Sequence, residues 1–407
     1  MTAIRFPVTE PHLDASDREH LLDAFDSGWI SSQGPYLERF EREFASFTGT
    51  SRALAVCNGT MALHLALMAL DLAPGDEVIV PTFTYIASAN AIRYCGATPV
   101  FVDCSPDTWN LDPEAVEAAI SPRTVGIMPV HLYGMPCDME RIQQIATAHR
   151  VWIVEDAAEA HGATIAGAAV GQFGTIAAFS LFGNKIITTG EGGVVTTNDA
   201  ALTRRMHLLR GQGMDPERRY WFPIVGYNYR MTNLAASLGV SQLRKVRQLI
   251  EAHQQVHAWY REALAGVDHL AWQGERPDTV SVQWLTSLRM VSAENRPMLR
   301  DELMVRLRAD GIDTRPFFYP MHHLPPYASN AAFPVADRIS TSGLNLPSSP
   351  RLTSNDVEWI AGRVRVHVES LSSGQMVRGA SFTTSPPVLM SPANALVATD
   401  DHLGAAA

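Results

Sequence analysis

The chain has 407 residues, enough for two or three domains of ordinary size. Hydrophobic residues make up 46% and charged residues 18%, a balance typical of a compact globular protein that excludes disorder for most of the chain. The formal net charge of −10 disfavours a nucleic-acid partner, because its phosphates would be repelled. No apolar signal region or membrane-length apolar stretch is present, so we expect no membrane span and a cytoplasmic protein.

Cysteine and lysine are both sparse, and their spacing excludes several kinds of site. The four cysteines are far apart and form no CxxC pair, which argues against a zinc ribbon or disulfide framework and favours a reducing compartment. Lysine occurs only at Lys185 and Lys245, and neither lies in a Gly-Lys-Ser/Thr sequence. A phosphate-binding P-loop is therefore excluded.

The first predicted element is a helix at 16–28, ending at Gly28. From about residue 50 to 200, β and α patterns then alternate. Uninterrupted Val/Ile-rich runs predict strands buried on both faces, as in a parallel sheet covered by helices. These runs are 77–83, 97–103, 124–134 and 151–158. We therefore predict an α/β fold with a mostly parallel, doubly wound large domain.

The remaining part of the chain predicts a smaller unit and a tail. A long helix is predicted at roughly 232–265, and shorter helix and strand signals follow it. From about residue 371 the sequence is rich in Ser, Gly, Pro and Ala without periodicity, which favours disorder. We place the large domain with an N-terminal arm at 1–250, a small C-terminal α/β domain at 251–370, and the tail at 371–407.

Lys185 lies in a glycine-rich turn between the apolar runs AAFSLF and GVVTT. Gly190, Gly192 and Gly193 allow the backbone to approach a ligand closely. In a dry crevice a lysine has a lowered pKa and can act as a nucleophilic amine that forms a Schiff base. The alternative is an exposed loop lysine, which is the commoner situation for a single lysine.

Asp156 comes after four apolar residues and Glu155, at the carboxyl end of a predicted strand, where doubly wound sheets bind ligands. A carboxylate there can pair with a cationic ring nitrogen such as that of pyridoxal phosphate. Equally, Glu155 or Asp156 could cap the next helix.

Gly59 and Thr60 begin a predicted helix and offer backbone N–H groups and a hydroxyl to an anion, although a plain helix cap explains them as well. Together with the lysine and the aspartate, this anion site favours one phosphorylated aldehyde cofactor.

Eight segments, in order, resemble motifs of the DegT/DnrJ/EryC1/StrS sugar aminotransferases, which are pyridoxal-phosphate enzymes of fold type I. The resemblance extends from about residue 5 to 365. It rests on SGWISSQGPY, NGTMALHLAL, GDEVIVPTFTYIASANAI, FVDCSPDTWNLDP, HLYGMPCDM, EDAAEAHGA, FSLFGNKIITTGEGG and GYNYRMTNLAASLG. It implies a pyridoxal-phosphate-dependent transaminase whose large domain binds the cofactor.

The resemblance also implies a role for each matching residue. Lys185 would form the Schiff base with the cofactor and later carry the proton to the sugar carbon, and Asp156 would keep the pyridine nitrogen protonated. Glu159 replaces the glutamine common beside the cofactor's 3-oxygen, so that its role is open. A family branch that removes a hydroxyl has histidine in place of the lysine, and Lys185 excludes that branch.

Other residues would hold the cofactor's ring and phosphate. Tyr85 matches the residue that stacks on the ring. In a homodimer, Asn228 would reach the phosphate from the neighbouring subunit, making the active site composite. The phosphate would otherwise be held by Gly59, Thr60 and Ser180.

The substrate-binding segments look most like the GDP-perosamine synthase subgroup, which uses L-glutamate to aminate C4 of GDP-4-keto-6-deoxymannose. A related set of enzymes in this subgroup aminates C3 of GDP-3-keto-6-deoxymannose to form the mycosamine of polyene macrolides. A dTDP- or UDP-linked sugar is a further alternative substrate. Arginines could neutralise the diphosphate and aromatic rings could stack on the base. The candidates are Arg219, Trp221, Arg315, Phe317, Tyr319 and His322. The same residues could equally form surface charge and small-domain core.

Three other functions are disfavoured by the sequence. A nicotinamide oxidoreductase needs G-x-G-x-x-G after its first strand, a spacing that neither GEGG nor GQG provides. A non-catalytic binding protein would not need the lysine, aspartate, serine and asparagine together. His322 and His323 suggest a metal, but no further ligand cluster accompanies them, and we expect none.

Overall fold

The computed structural model describes residues 3–373. The first part contains α1 (Ala15–Asp26), α2 (Pro35–Thr48), β1 (Arg52–Val56), α3 (Gly59–Ala69), β2 (Glu77–Pro81), α4 (Ala87–Tyr94), β3 (Thr98–Val102), α5 (Pro113–Ala119), β4 (Thr124–Ile127), α6 (Met139–His149), β5 (Trp152–Asp156), β6 (Thr164–Ile165), β7 (Ala168–Ala169), β8 (Ile176–Ser180), β9 (Gly193–Thr197) and α7 (Ala200–Arg210). The second part contains α8 (Asn233–Arg244), α9 (Val246–Ala263), β10 (Leu270–Trp272), β11 (Thr279–Val280), β12 (Thr286–Met290), α10 (Met298–Ala309), β13 (Arg315–Pro316), α11 (Pro334–Ser342), β14 (Gly343–Leu346) and α12 (Ser354–Ser372).

A seven-stranded sheet in the order β1-β9-β8-β5-β4-β2-β3 forms the centre of the fold. The pairs from β8 to β3 are parallel, and β9 is antiparallel to both of its neighbours. Every residue of β2, β8 and β9 is buried, as expected for strands covered on both faces. The predicted α/β class with a mostly parallel, doubly wound sheet is confirmed.

Helices cover the two faces of this sheet. On one face, Phe44 of α2 packs edge-to-face against Phe179 of β8, with ring centroids 5.1 Å apart. On the other face, α3 is almost wholly apolar and packs against β8 and β9. Burying such side chains contributes roughly 1.5–3 kcal/mol each, so this packing fixes the strand ends that carry functional residues.

A second, antiparallel sheet of four strands has the order β10-β12-β14-β13 and packs with α9, α10 and α12 around a separate apolar core. A three-stranded sheet, β11-β6-β7, links the two parts of the chain. The predicted domain boundaries remain a prediction. Helix α12 extends through Ser372, past the predicted start of the tail, and the rest of that tail lies outside the described residues. No helix among residues 3–373 has the length and apolarity to cross a membrane.

The predicted helix at 232–265 is two helices, α8 and α9, separated at Lys245. Backbone φ and ψ there are −108° and 8°, which interrupt the helix. The side chain of Lys245 turns to the start of α1, where its Nζ lies 2.7 Å from Asp14 Oδ2 and also binds Asp17. Periodicity did not reveal this break because the apolar pattern continues through it.

We expect Lys245→Ala to lower the free energy of unfolding by about 2 kcal/mol, because the buried Asp17 carboxylate would lose its cationic partner. Arg205→Ala is the matched control, since Arg205 pairs with the exposed Asp71 and should contribute about 0.5 kcal/mol or less. Urea unfolding of both variants measures the difference. Equal losses would contradict a structural role for the Lys245 pair.

Candidate active site

A cavity of about 480 Å³ opens at the carboxyl ends of β5 and β8, where α/β sheets usually bind ligands. The start of α3, the β8–β9 turn, β13 and β14 complete its wall. Several residues predicted from the sequence lie together in this wall: Gly59, Thr60, Tyr85, Asp156, Glu159, Ser180, Lys185 and Arg315.

The amine of Lys185 points into this cavity from the β8–β9 turn, and its side chain is only 11% exposed. Its Nζ lies 3.7 Å from the ring centroid of Trp284, whose Nε1 donates a 2.6 Å hydrogen bond to the carbonyl oxygen of Asn184. Burial lowers the pKa of Lys185, while the Glu159 and Asp156 carboxylates oppose that shift. A partly desolvated amine of this kind is suited to nucleophilic attack on an aldehyde.

The carboxylate of Asp156 lies at the end of β5 and also faces the cavity. Oδ2 accepts a 2.7 Å hydrogen bond from Ser88 Oγ, and Oδ1 accepts a 3.2 Å bond from the N–H of Ala158. Burial raises the pKa of Asp156, and these hydrogen bonds together with Lys185 oppose the shift. A buried carboxylate held in this way favours a cationic partner in the cavity.

Glu155 and Asp156 have different contacts, although the sequence allowed either of them to cap the next helix. The Glu155 carboxylate accepts backbone hydrogen bonds of 2.8, 2.9 and 2.6 Å from Gly171, Phe173 and Gly174. It also lies 3.1 Å from His131 Nε2. Glu155 therefore holds the 171–174 loop, and the side chain of neither residue caps a helix among the described residues.

The beginning of α3 provides a small anion-binding surface next to the lysine. Asn58 caps the helix by accepting a 2.9 Å bond from the N–H of Met61, so Gly59 and Thr60 form its first turn. A Cβ added to Gly59 would lie 2.7 Å from the Cβ of Ser180, so only glycine allows this close approach of helix and strand. Free N–H groups and the Ser180 hydroxyl fit a phosphate here.

Tyr85 and Arg315 lie further out on the cavity wall. Tyr85 is 58% exposed, and its ring centroid is 5.7 Å from that of Phe318. Arg315 reaches the cavity from β13 in the smaller sheet and donates a 3.4 Å bond to Thr9 Oγ1. The wall is thus formed by both sheets.

Two predicted substrate contacts are placed elsewhere and need correction. Phe317 is only 2% exposed, and its ring centroid lies 5.1 Å from that of Tyr133 in the apolar core, where it cannot stack on a base. His322 is buried, with Nδ1 2.9 Å from Thr82 Oγ1 and Nε2 3.1 Å from Asp337 Oδ1. Its neighbour His323 contacts the same carboxylate at 2.6 Å, a partner that sequence analysis did not identify.

The remaining site residues predicted from the sequence lie outside the cavity wall and are exposed in the described chain. Asn228 accepts hydrogen bonds of 3.2 and 3.0 Å from Arg230, and Tyr319 points to solvent. Arg219 and Trp221 lie in a surface loop, where Arg219 stacks on Tyr220.

Sequence reasoning missed Ser88 and Trp284, along with Phe318 and Asn345 in the cavity wall. Ser88 lies in the TYIAS segment, one helical turn after Tyr85, so its position next to that residue was a usable signal. Trp284 is about 100 positions from Lys185 and carries no local pattern that connects them.

Residues 11–365 match the sequence profile of the DegT/DnrJ/EryC1/StrS aminotransferase family. The chain belongs to this family. It is 50% identical over 364 residues to a GDP-perosamine synthase of Caulobacter vibrioides, covering 88% of this chain and 96% of that one. It is 40% identical to a dTDP-3-amino-3,4,6-trideoxy-alpha-D-glucose transaminase of Streptomyces venezuelae, covering 83% and 88%.

Solved structures agree with this assignment. The PLP form of a putative sugar aminotransferase, Spr1654 from Streptococcus pneumoniae, superposes with a TM-score of 0.86 at 28% identity, covering 91% of this chain and 100% of that one. The protein is thus a pyridoxal-phosphate-dependent aminotransferase. Its cavity fits that cofactor, since it combines a desolvated amine, a buried carboxylate and an anion-binding helix start.

We expect Glu155→Gln to lower the free energy of unfolding by about 2–4 kcal/mol, because the amide group of glutamine would meet backbone donors instead of accepting from them. Glu191→Gln, at an exposed carboxylate on the cavity wall, is the control and should cost about 0.5 kcal/mol or less. Thermal and urea unfolding measure both. A small effect at Glu155 would mean that the 171–174 loop is held by other contacts.

Proposed function

We propose that the protein transfers the amino group of L-glutamate to a GDP-linked keto-6-deoxy sugar, namely to C4 of GDP-4-keto-6-deoxymannose. The observation that carries this proposal is the placement of Lys185 and Asp156 on one buried cavity wall in a chain that is 50% identical to a GDP-perosamine synthase. The four free cysteines are consistent with a reducing cytoplasm as its location.

The proposed reaction depends on a few side chains around the cavity. Bound pyridoxal phosphate supplies an aldehyde and an electron-withdrawing ring that stabilises negative charge on a neighbouring carbon. Lys185 Nζ would hold the cofactor and move a proton on and off the reacting carbon. Asp156, whose carboxylate is held by Ser88, would keep the proton on the ring nitrogen. Gly59, Thr60 and Ser180 would bind the phosphate.

The nucleotide part of the substrate would bind at the outer wall. Arg315 is a cation at the cavity and can neutralise part of a diphosphate. Tyr85, which contacts Phe318, would cover the cofactor ring. A 40% identical relative is named for a 3-amino sugar, so amination at C3, as in mycosamine formation, is the alternative that the assay must separate.

We propose that two copies of the chain complete each site, with Asn228 binding the phosphate of the neighbouring subunit. An unusually apolar exposed segment next to Asn228 supports this dimer. Tyr220, Trp221, Phe222 and Ile224 are all exposed, and Val225 is 91% exposed. Consecutive apolar residues of this kind are typical of a protein interface. In such an assembly Arg219 and Trp221 would also belong to the partner's site.

The substrate is tested by incubating the protein with L-glutamate and a panel of GDP-, dTDP- and UDP-linked 3-keto and 4-keto sugars. We expect amination of the GDP-linked 4-keto sugar, identified by mass and NMR. Lys185→Ala should reduce the rate at least about a thousandfold, because both attachment and proton transfer are lost. Borohydride should fix the cofactor on the Lys185 peptide and not on that of Lys245.

Amination at C3, or of a dTDP- or UDP-linked sugar alone, would contradict the proposed substrate while leaving the aminotransferase assignment intact. Cofactor fixed on Lys245, or on neither lysine, would contradict the assigned site.

The composite site is tested by mixing Lys185→Ala and Asn228→Ala chains under conditions of subunit exchange. Each mixed dimer would contain one site with both wild-type residues, so activity should recover to roughly a quarter of the wild-type value. Native mass spectrometry verifies that mixed dimers form. Mixed dimers without recovered activity would contradict the exchange of Asn228 between subunits.

A further inference from the structure

Glu159 is the carboxylate that pairs with the Lys185 amine. Its side chain lines the cavity and is only 7% exposed. Its Oε1 lies 3.5 Å from Lys185 Nζ. Because glutamine and glutamate have nearly the same shape, a Glu159→Gln substitution would remove little besides the negative charge.

The other oxygen of Glu159 is fixed by the backbone. Oε2 accepts a 2.8 Å hydrogen bond from the N–H of Tyr133. Tyr133 has φ 55°, a left-handed conformation that is uncommon for a tyrosine, in the tight turn Leu132–Gly134. Such conformations persist where the surroundings impose them and are frequent at functional sites. The turn thus orients the carboxylate so that its free oxygen faces the lysine.

We propose that Glu159 is the charge partner of Lys185, and that its carboxylate holds the ammonium group in place and retains the proton on Nζ whenever the lysine is not bonded to the cofactor. This makes Glu159 a positioning residue for the amine. The inference rests on the proposed function, in which Lys185 is the reacting amine.

Other groups around Lys185 do not take this role. Asp156 also attracts the amine, but its oxygens are engaged by Ser88 and Ala158. Arg315 repels the ammonium form. Burial lowers the pKa of His161 to about 3, so this neighbour is neutral.

Opposing effects act on the two members of the pair. Burial raises the pKa of Glu159 and lowers that of Lys185, while their attraction works against both shifts. The Tyr133 N–H also favours the ionised carboxylate. Removing the charge of Glu159 would therefore leave desolvation of the lysine unopposed on this side and release its proton at lower pH.

The two-lysine composition permits a direct measurement. Full-length protein, freed of bound cofactor with hydroxylamine, is treated briefly with acetic anhydride near neutral pH, and the Lys185 and Lys245 peptides are quantified by mass spectrometry. Only the unprotonated amine reacts. An opposite charge at this distance shifts a pKa by about one unit or more, so Glu159→Gln should increase the Lys185-to-Lys245 labelling ratio about tenfold.

Glu191→Gln is the control. It removes a carboxylate from the same cavity wall, whereas the carboxylates that act on Lys185 are those of Glu159 and Asp156. Its labelling ratio should equal that of the wild type. If Glu159→Gln does not fold, Glu159→Ala replaces it, and added formate should bring its raised ratio back toward the wild-type value. An unchanged ratio in a folded Glu159→Gln protein, or a raised ratio that formate does not lower in Glu159→Ala, would overturn the proposal.

Failure of this proposal is separable from failure of the proposed function. Reconstitution of the wild-type protein with pyridoxal phosphate and borohydride reduction tests whether Lys185 is the attached amine. A protein that attaches the cofactor at Lys185 but shows no change of the labelling ratio in Glu159→Gln would retain its proposed function and lose only the charge partner.

Discussion

The central constraint on this protein is that one amine and two carboxylates are buried together in the wall of one cavity. Each of these charges alone would be costly to bury, and each lowers that cost for the others. Lys185, Asp156 and Glu159 come from the ends of two adjacent parallel strands and the turns that follow them. The packing of α2 and α3 on the sheet keeps these strand ends together, so the core of the large domain sets the electrostatics of the site.

The two sheets contribute different parts of the cavity. The central sheet and the helix that follows its first strand supply Lys185, Asp156 and the helix start at Gly59. The smaller sheet supplies Arg315 and Asn345 at the outer wall. Under the proposed function, cofactor attachment and proton transfer would depend on the central sheet, and recognition of the larger substrate would depend on the smaller sheet. Changes to residues of the smaller sheet could then adapt the same chemistry to different sugar nucleotides.

The parts of the site that the sequence predicted are those with a local physical signal. A buried strand ending in an acid identified Asp156, a glycine-rich turn between apolar strands identified Lys185, and a helix start identified Gly59 and Thr60. Family motifs supplied the roles. In the run TRPFFYPMHHLPPY, proline-rich spacing gives no helical or strand period, so nothing indicated that Phe317 points into the core while Arg315 faces the cavity. The approach of Trp284 to Lys185 depends on tertiary packing alone.

The helix joint at Lys245 connects distant parts of the chain. Helix α8 follows almost directly after Asn228 and Arg230, and the Asn233 side chain at its start bonds to the carbonyl oxygen of Trp29 and the N–H of Tyr36. At the other end of α8, Lys245 forms ion pairs with Asp14 and Asp17 at the start of α1. The segment from Asp14 to Tyr36 therefore fixes both ends of α8 and, with them, the direction of the surface loop before it. Truncating the chain there, or fusing another protein to it, would disturb the surface loop before α8. In the proposed dimer this loop would lie at the contact with the second subunit.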